Sequence, residues 1–147
     1  MVRGKIFIAA ALGFVMLLVS SHAFAQAEKR QALMKSNSAD AKAIKAAVEA
    51  KDYATIETKA GEIMGNAEKI VSLFPKGSDT GKTKATAAIW EKHDEFAKDA
   101  KNLANAASEL AAAAKAKDDA AIGVKVKALG NACNSCHKTF RAEKYKE

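Results

Sequence analysis

Tyr53, Ile56, Ala60, Ile63, Ala67, Ile70 and Phe74 recur at steps of three and four, so a helix places all seven on one continuous apolar stripe. A strand would scatter them over both of its faces. Asp52, just before the stripe, is a residue type that caps helix N-termini. Pro75, the single proline of the chain, follows directly and ends the helix because it fixes φ and has no N–H to donate. Three further stripes have the same period. Ile89, His93, Phe96, Ala100, Leu103, Ala107, Leu110 and Ala114 predict one long helix near 86–116, capped by Thr86 or Thr83. Ile122, Val126, Leu129, Cys133, Cys136 and Phe140 predict a helix capped by Asp118 or Asp119. Arg30, Met34, Asn37, Ala41, Ile44 and Val48 predict a weaker first helix, whose polar positions imply that something other than hydrocarbon faces its upper half. With no sustained apolar–polar alternation, the class is all-α. Four stripes joined by two short connections and one longer loop, residues 75–84, predict an antiparallel up-down-up-down four-helix bundle.

Ahead of these stripes, Arg3 and Lys5 precede an apolar run over residues 6–19, and Ala23-Phe24-Ala25 supplies the small-x-small pattern of a cleavage site. This predicts a cleaved signal peptide over 1–25, an exported mature domain over 26–147, and a periplasmic location. The apolar run is shorter than the roughly 20 residues a membrane span needs, so no stable membrane insertion of the mature chain is expected. Removing Arg3 and Lys5 lowers the net charge from +7 to +5, and the basic residues are scattered among acidic ones. Nucleic-acid binding would need a clustered basic face, so none is expected.

Much of the apolar surface on the first and third stripes is alanine, and aromatic residues make up 6% of the chain. At roughly 25 cal/mol per Å² of apolar area, alanine seams stabilise weakly, and a large apolar cofactor would relieve that shortage. The string "CNSCH", residues 133–137, holds both cysteines and one of the three histidines. On a helix Cys133, Cys136 and His137 share a face. C-x-x-C-H is the attachment motif of c-type haem, in which two thiols add to the vinyl groups and the neighbouring imidazole becomes an axial iron ligand. Structural zinc wants four ligands, and only His93 remains as a further imidazole among residues 26–147. A redox dithiol belongs in a βαβ context that is missing here. A disulfide between these positions would close too small a loop to stabilise much, and would fit poorly within a helix.

The chain also resembles the cytochromes c′ and their low-spin relatives. "EKRQALMK" (28–35) is similar to the first-helix motif of that family, "FPKGSDTGKTKATAAIW" (74–90) to its central loop, and "CNSCHKTFR" (133–141) to its haem segment. The resemblance implies one haem c attached through two thioether bonds to Cys133 and Cys136, with His137 on the iron. It implies that Arg141 lies beside the axial histidine and that Arg30 lies near a haem propionate. Members of the family divide by the far side of the iron. Low-spin members close it with a methionine and carry electrons, whereas high-spin members leave it open and bind NO or CO. The matching residue is Met34, and the local string favours a one-electron carrier with His137/Met34 iron and periplasmic redox partner proteins. The alternative is a high-spin, five-coordinate NO/CO-binding protein in which Met34 only packs. Either a monomer or a homodimer is compatible with the sequence.

Met64, beside the second stripe, is expected to be core filler, and His93 a partly buried, hydrogen-bonded side chain with no haem role. No acid–base pair, oriented nucleophile or phosphate-binding glycine loop points to an enzyme.

Overall fold

The computed structural model describes residues 6–78 and 83–143, with side chains from residue 25 onward. Its elements are α1 (Ile6–Ala50), α2 (Tyr53–Ile70), the short α3 (Ala88–Glu91), α4 (His93–Lys115) and α5 (Asp119–Phe140). A single 3₁₀ turn, Val71–Leu73, continues α2 towards Pro75. Helix α1 continues N-terminally through the apolar run expected to be a signal segment; its basic flank, Arg3 and Lys5, lies outside the described residues, as do residues 79–82 of the expected central loop. Among the described residues no helix is long and apolar enough to cross a membrane.

Helices α1, α2, α4 and α5 form the bundle. α1 packs on α2, α2 on α4 and α4 on α5, while α1 and α5 have no comparably extended contact with each other. The α2–α4 seam includes Ala60, Ala107 and Ala114, all fully buried, beside Ile56, Ile63 and Leu110. Small residues let these two backbones approach closely, and the larger side chains fill the layers between.

Two turns are built alike. Ala50-Lys51-Asp52 joins α1 to α2, and Ala116-Lys117-Asp118 joins α4 to α5. Lys51 and Lys117 both have φ of 55°, the left-handed conformation that closes a helix C-terminus. The amides of Asp52 and Asp118 reach back to the carbonyls of Ala47 and Ala113 at 2.9 and 3.1 Å. Each aspartate then caps the next helix, accepting from the amide of Thr55 at 3.1 Å and of Ala121 at 3.0 Å. Lys51 also pairs with Asp119 at 2.6 Å, and the Tyr53 hydroxyl donates to the same carboxylate at 2.9 Å, tying the two turns together. Asp118→Ala is expected to cost about 1 kcal/mol of stability, the usual worth of an N-cap, read as a lower urea midpoint with unchanged slope.

Four sequence expectations are corrected. The helix expected near 86–116 is broken at Lys92, whose φ of −121° and ψ of 47° end α3 and start α4. The segment before the break is fastened elsewhere: the Trp90 indole donates to the carbonyls of Phe74 and Pro75 at 3.2 and 3.0 Å, and the Thr86 amide to that of Phe140 at 3.0 Å. Held by these contacts, it cannot follow the α4 axis, and neither Thr86 nor Thr83 caps a helix with its side chain. His93, at the break, is exposed rather than buried in the stripe. On α1 the inner face runs through Asp40, Ile44 and Ala47, and Ala41 is exposed. Asp40 tolerates burial because Lys59 of α2 pairs with it at 3.3 Å. Met64 is half-buried against the core, as expected.

Candidate functional site

The gap between α1 and α5 is a cavity of about 490 Å³, within the usual range for a ligand site. Met34 lines it from α1, and Cys136 and His137 from α5. Arg30 and Arg141 also reach its wall. Cys133 lies one helical turn earlier on α5, half-buried against the core, and is not on the wall. The structure thus gathers five of the six expected site residues around one space and leaves the sixth, Cys133, one turn away on the same helix.

Phe74, Phe96 and Phe140 also line the cavity. They meet edge to face, Phe74 to Phe96 with ring centroids 5.0 Å apart and Phe96 to Phe140 at 5.2 Å. Such contacts add to area burial and hold the rings in fixed orientations. Each Phe lies on an apolar stripe, so the sequence suggests core, but only the packing brings the three together beneath one cavity. The segment after α5 forms an antiparallel bridge between Arg141 and Ala85, with the Ala142 amide donating to the carbonyl of Lys84 at 2.9 Å. This pairing places residues 83–85 on the cavity rim.

Arg30 is 5% exposed and is held by the central loop. Its Nε donates to the carbonyl of Leu73 at 2.6 Å and one Nη to that of Ser78 at 3.0 Å, while the other Nη donates to the Ser78 hydroxyl. The guanidinium also sits 4.2 Å over the Phe74 ring. Burial pushes its pKa down, although a guanidinium stays charged at any ordinary pH. Two of its five N–H donors are not used in these bonds and can meet an acidic group in the cavity. Ser78 is a partner the sequence does not reveal, because an interior loop serine carries no periodic signal.

Both cysteines are free. Burial, with the charges of Asp99 and Cys133 adding to it, pushes the Cys136 thiol up to about 12, and burial raises Cys133 as well. A dithiol oxidoreductase needs a low-pKa thiolate, the opposite of this environment. Burial, and then the charge of Arg141, lowers the pKa of His137, so its imidazole is neutral at pH 7 and has a lone pair to give. Among the described residues no three His, Cys, Asp or Glu side chains converge as a bare metal site requires. The donors instead suit a flat, mostly apolar macrocycle with acidic edges: two thiols and an imidazole on one helix face, a thioether on the facing helix, an aromatic floor and two guanidinium groups. The residues present fit a haem.

A helical bundle that presents C-x-x-C-H at an aromatic cavity between its first and last helices is the framework of a c-type haem protein. Residues 25–141 match the family model described as Cytochrome C′, and the chain belongs to the cytochrome c′ family. That family carries a covalently bound c-type haem. The chain is 46% identical over 77 residues to cytochrome c′ of Rhodospirillum rubrum, covering 52% of each protein. This match therefore spans about half the length of that relative. It is 35% identical over 147 residues to cytochrome c′ of Rhodopseudomonas palustris, covering 95% of this chain and 99% of the relative. It is 33% identical over 126 residues to cytochrome c-556 of Agrobacterium fabrum, covering 84% of this chain and 85% of the relative. Among solved structures, cytochrome c′ of Thermochromatium tepidum superposes with a TM-score of 0.76 at 28% identity, covering 82% of this chain and 97% of that one.

Proposed function

We propose that the chain is an exported, periplasmic electron carrier rather than an enzyme. Cys133 and Cys136 would hold one haem through two thioether bonds, and His137 and Met34 would supply the ligands to its iron. The observation that carries this reading is that Met34 and His137 line the same cavity from different helices, α1 and α5. The bound haem supplies a one-electron Fe(III)/Fe(II) couple.

The chain's own residues do the rest. Neutral His137 offers a nitrogen lone pair, and the Met34 thioether favours the reduced state and raises the potential. Phe74, Phe96 and Phe140 exclude water from the inner wall, and Arg30 and Arg141 supply cationic partners for acidic edge groups. Lys35, Lys84 and Arg141 at the rim favour acidic redox partner proteins. The proposed mature form is residues 26–147, as a monomer or homodimer.

A second reading, capture of NO or CO with Met34 as a packing residue, is supported by the half-buried state of Met34 and the lack of extended packing between α1 and α5. One experiment separates the two. Under the carrier reading, the ferric wild type shows the weak near-infrared band of methionine-ligated haem and binds CO poorly, and Met34→Ala loses the band and binds CO readily. A wild type with a high-spin ferric spectrum and ready CO binding selects gas capture instead.

A further inference from the structure

The upper half of α1 is the wall from which Met34 enters the cavity, and it is attached differently from the lower half. Below, Ile44 and Ala47 are buried in the core against α2. Above, Leu33 and Met34 are only half-buried. There the seam with α2 is polar. The Asn66 amide donates from Nδ2 to Asn37 Oδ1 at 2.8 Å and to Ser36 Oγ at 3.4 Å, and Lys59 pairs with Asp40 at 3.3 Å. The sequence marks Asn37 as a polar position on the inner stripe of α1. The structure turns it to α2 rather than to the cavity.

Because α1 and α5 have no extended contact, the width of the cavity depends on how α1 is tied to α2 and to the central loop. Arg30 makes the loop tie. Asn66 makes the α2 tie nearest in sequence to Met34, since its partners Ser36 and Asn37, the latter on the shorter bond, lie two and three residues beyond it, within one helical turn. Apolar packing would let α1 slide or roll at little cost, whereas a directional amide pair fixes one register. We infer that Asn66 is a positioning residue: through Asn37 it sets the depth to which Met34 enters the cavity, and so how far the iron's open side is closed. The inference rests on the proposed placement of Met34 at the haem iron.

The test measures CO association to the ferrous holoprotein for wild type, Asn66→Ala, Met34→Ala and the double variant, with amide hydrogen exchange of residues 34–38 alongside. Tyr53→Phe, which removes a hydrogen bond at the far end of the bundle, controls for general loosening. Asn66→Ala is expected to speed CO association about threefold or more, the effect of losing one hydrogen bond, and to speed exchange in 34–38. Tyr53→Phe is expected to do neither, and the Asn66→Ala effect is expected to vanish once Met34 is alanine. If Met34→Ala changes CO binding but Asn66→Ala does not, the inference fails and the proposed site stands. If Met34→Ala has no effect, both fall. An Asn66→Ala effect that persists in the double variant also overturns the inference, because Asn66 would then act by another route.

Discussion

Replacing Cys133 and Cys136 together by alanine is expected to release all haem from the chain into an acidified organic solvent, whereas the wild type keeps its haem. These are the only two cysteines, so no other thiol can substitute. Both are free in the fold and lie on the helix that carries His137. Mass spectrometry of the denatured wild-type chain should read the polypeptide plus one haem, and of the double variant the bare polypeptide. A wild type whose haem is extracted would remove the covalent link and with it most of the case for Cys136 as more than a buried thiol. The high thiol pKa does not argue against attachment, because burial raises it only in the finished fold.

The second large effect concerns Phe96. It is 2% exposed and meets both Phe74 and Phe140 edge to face, so Phe96→Ala removes one ring and two aromatic contacts at once. A loss of about 3–5 kcal/mol is expected, read from urea unfolding of the holoprotein. Val124→Ala is the contrast, since Val124 is 64% exposed and its truncation should stay within about 0.5 kcal/mol of neutral. A Phe96→Ala protein as stable as Val124→Ala would mean that the floor collapses freely around the missing ring, and that the aromatic cluster does not shape the cavity.

The second helix was fully legible. Asp52 and Pro75 mark its limits, and large side chains fix the phase of its stripe, so Ile56, Ile63 and Ile70 are buried as the spacing requires. The first helix was legible only to within a residue, because alanine fits a core or a surface equally well. Ala41 satisfied the period, yet the inner face passes through Asp40, whose partner Lys59 lies on another helix. The break at Lys92 had no local signal at all, neither glycine nor proline. It follows from Trp90 and Thr86 bonding to distant backbone, and it is why His93 is exposed. Among the candidates, Cys133, Cys136 and His137 stand out in the sequence because their chemistry lies at helical positions i, i+3 and i+4; Cys136 and His137 line the cavity and Cys133 does not. The resemblance supplied Met34, Arg30 and Arg141, all of which reach the cavity wall. Ser78 could not be read, since a lone loop serine carries no periodic signal, nor could the rim segment, which is joined to the site by main-chain hydrogen bonds that any sequence can make.

The position of the cavity between the first and last bundle helices also sets an order of assembly. Helices α1 and α2, and likewise α4 and α5, are joined by turns of only a few residues, so each pair closes with little loss of chain entropy. Cys133, Cys136 and His137 come into register as soon as α5 winds, before any other helix arrives. Met34 can join them only when the two hairpins dock, the slower, non-local step. One half of the site is therefore a property of a peptide and the other half a property of the whole fold. Under the proposed His137/Met34 ligation, denaturant should separate Met34 from the site first, while the covalent links to Cys133 and Cys136 persist on the unfolded chain.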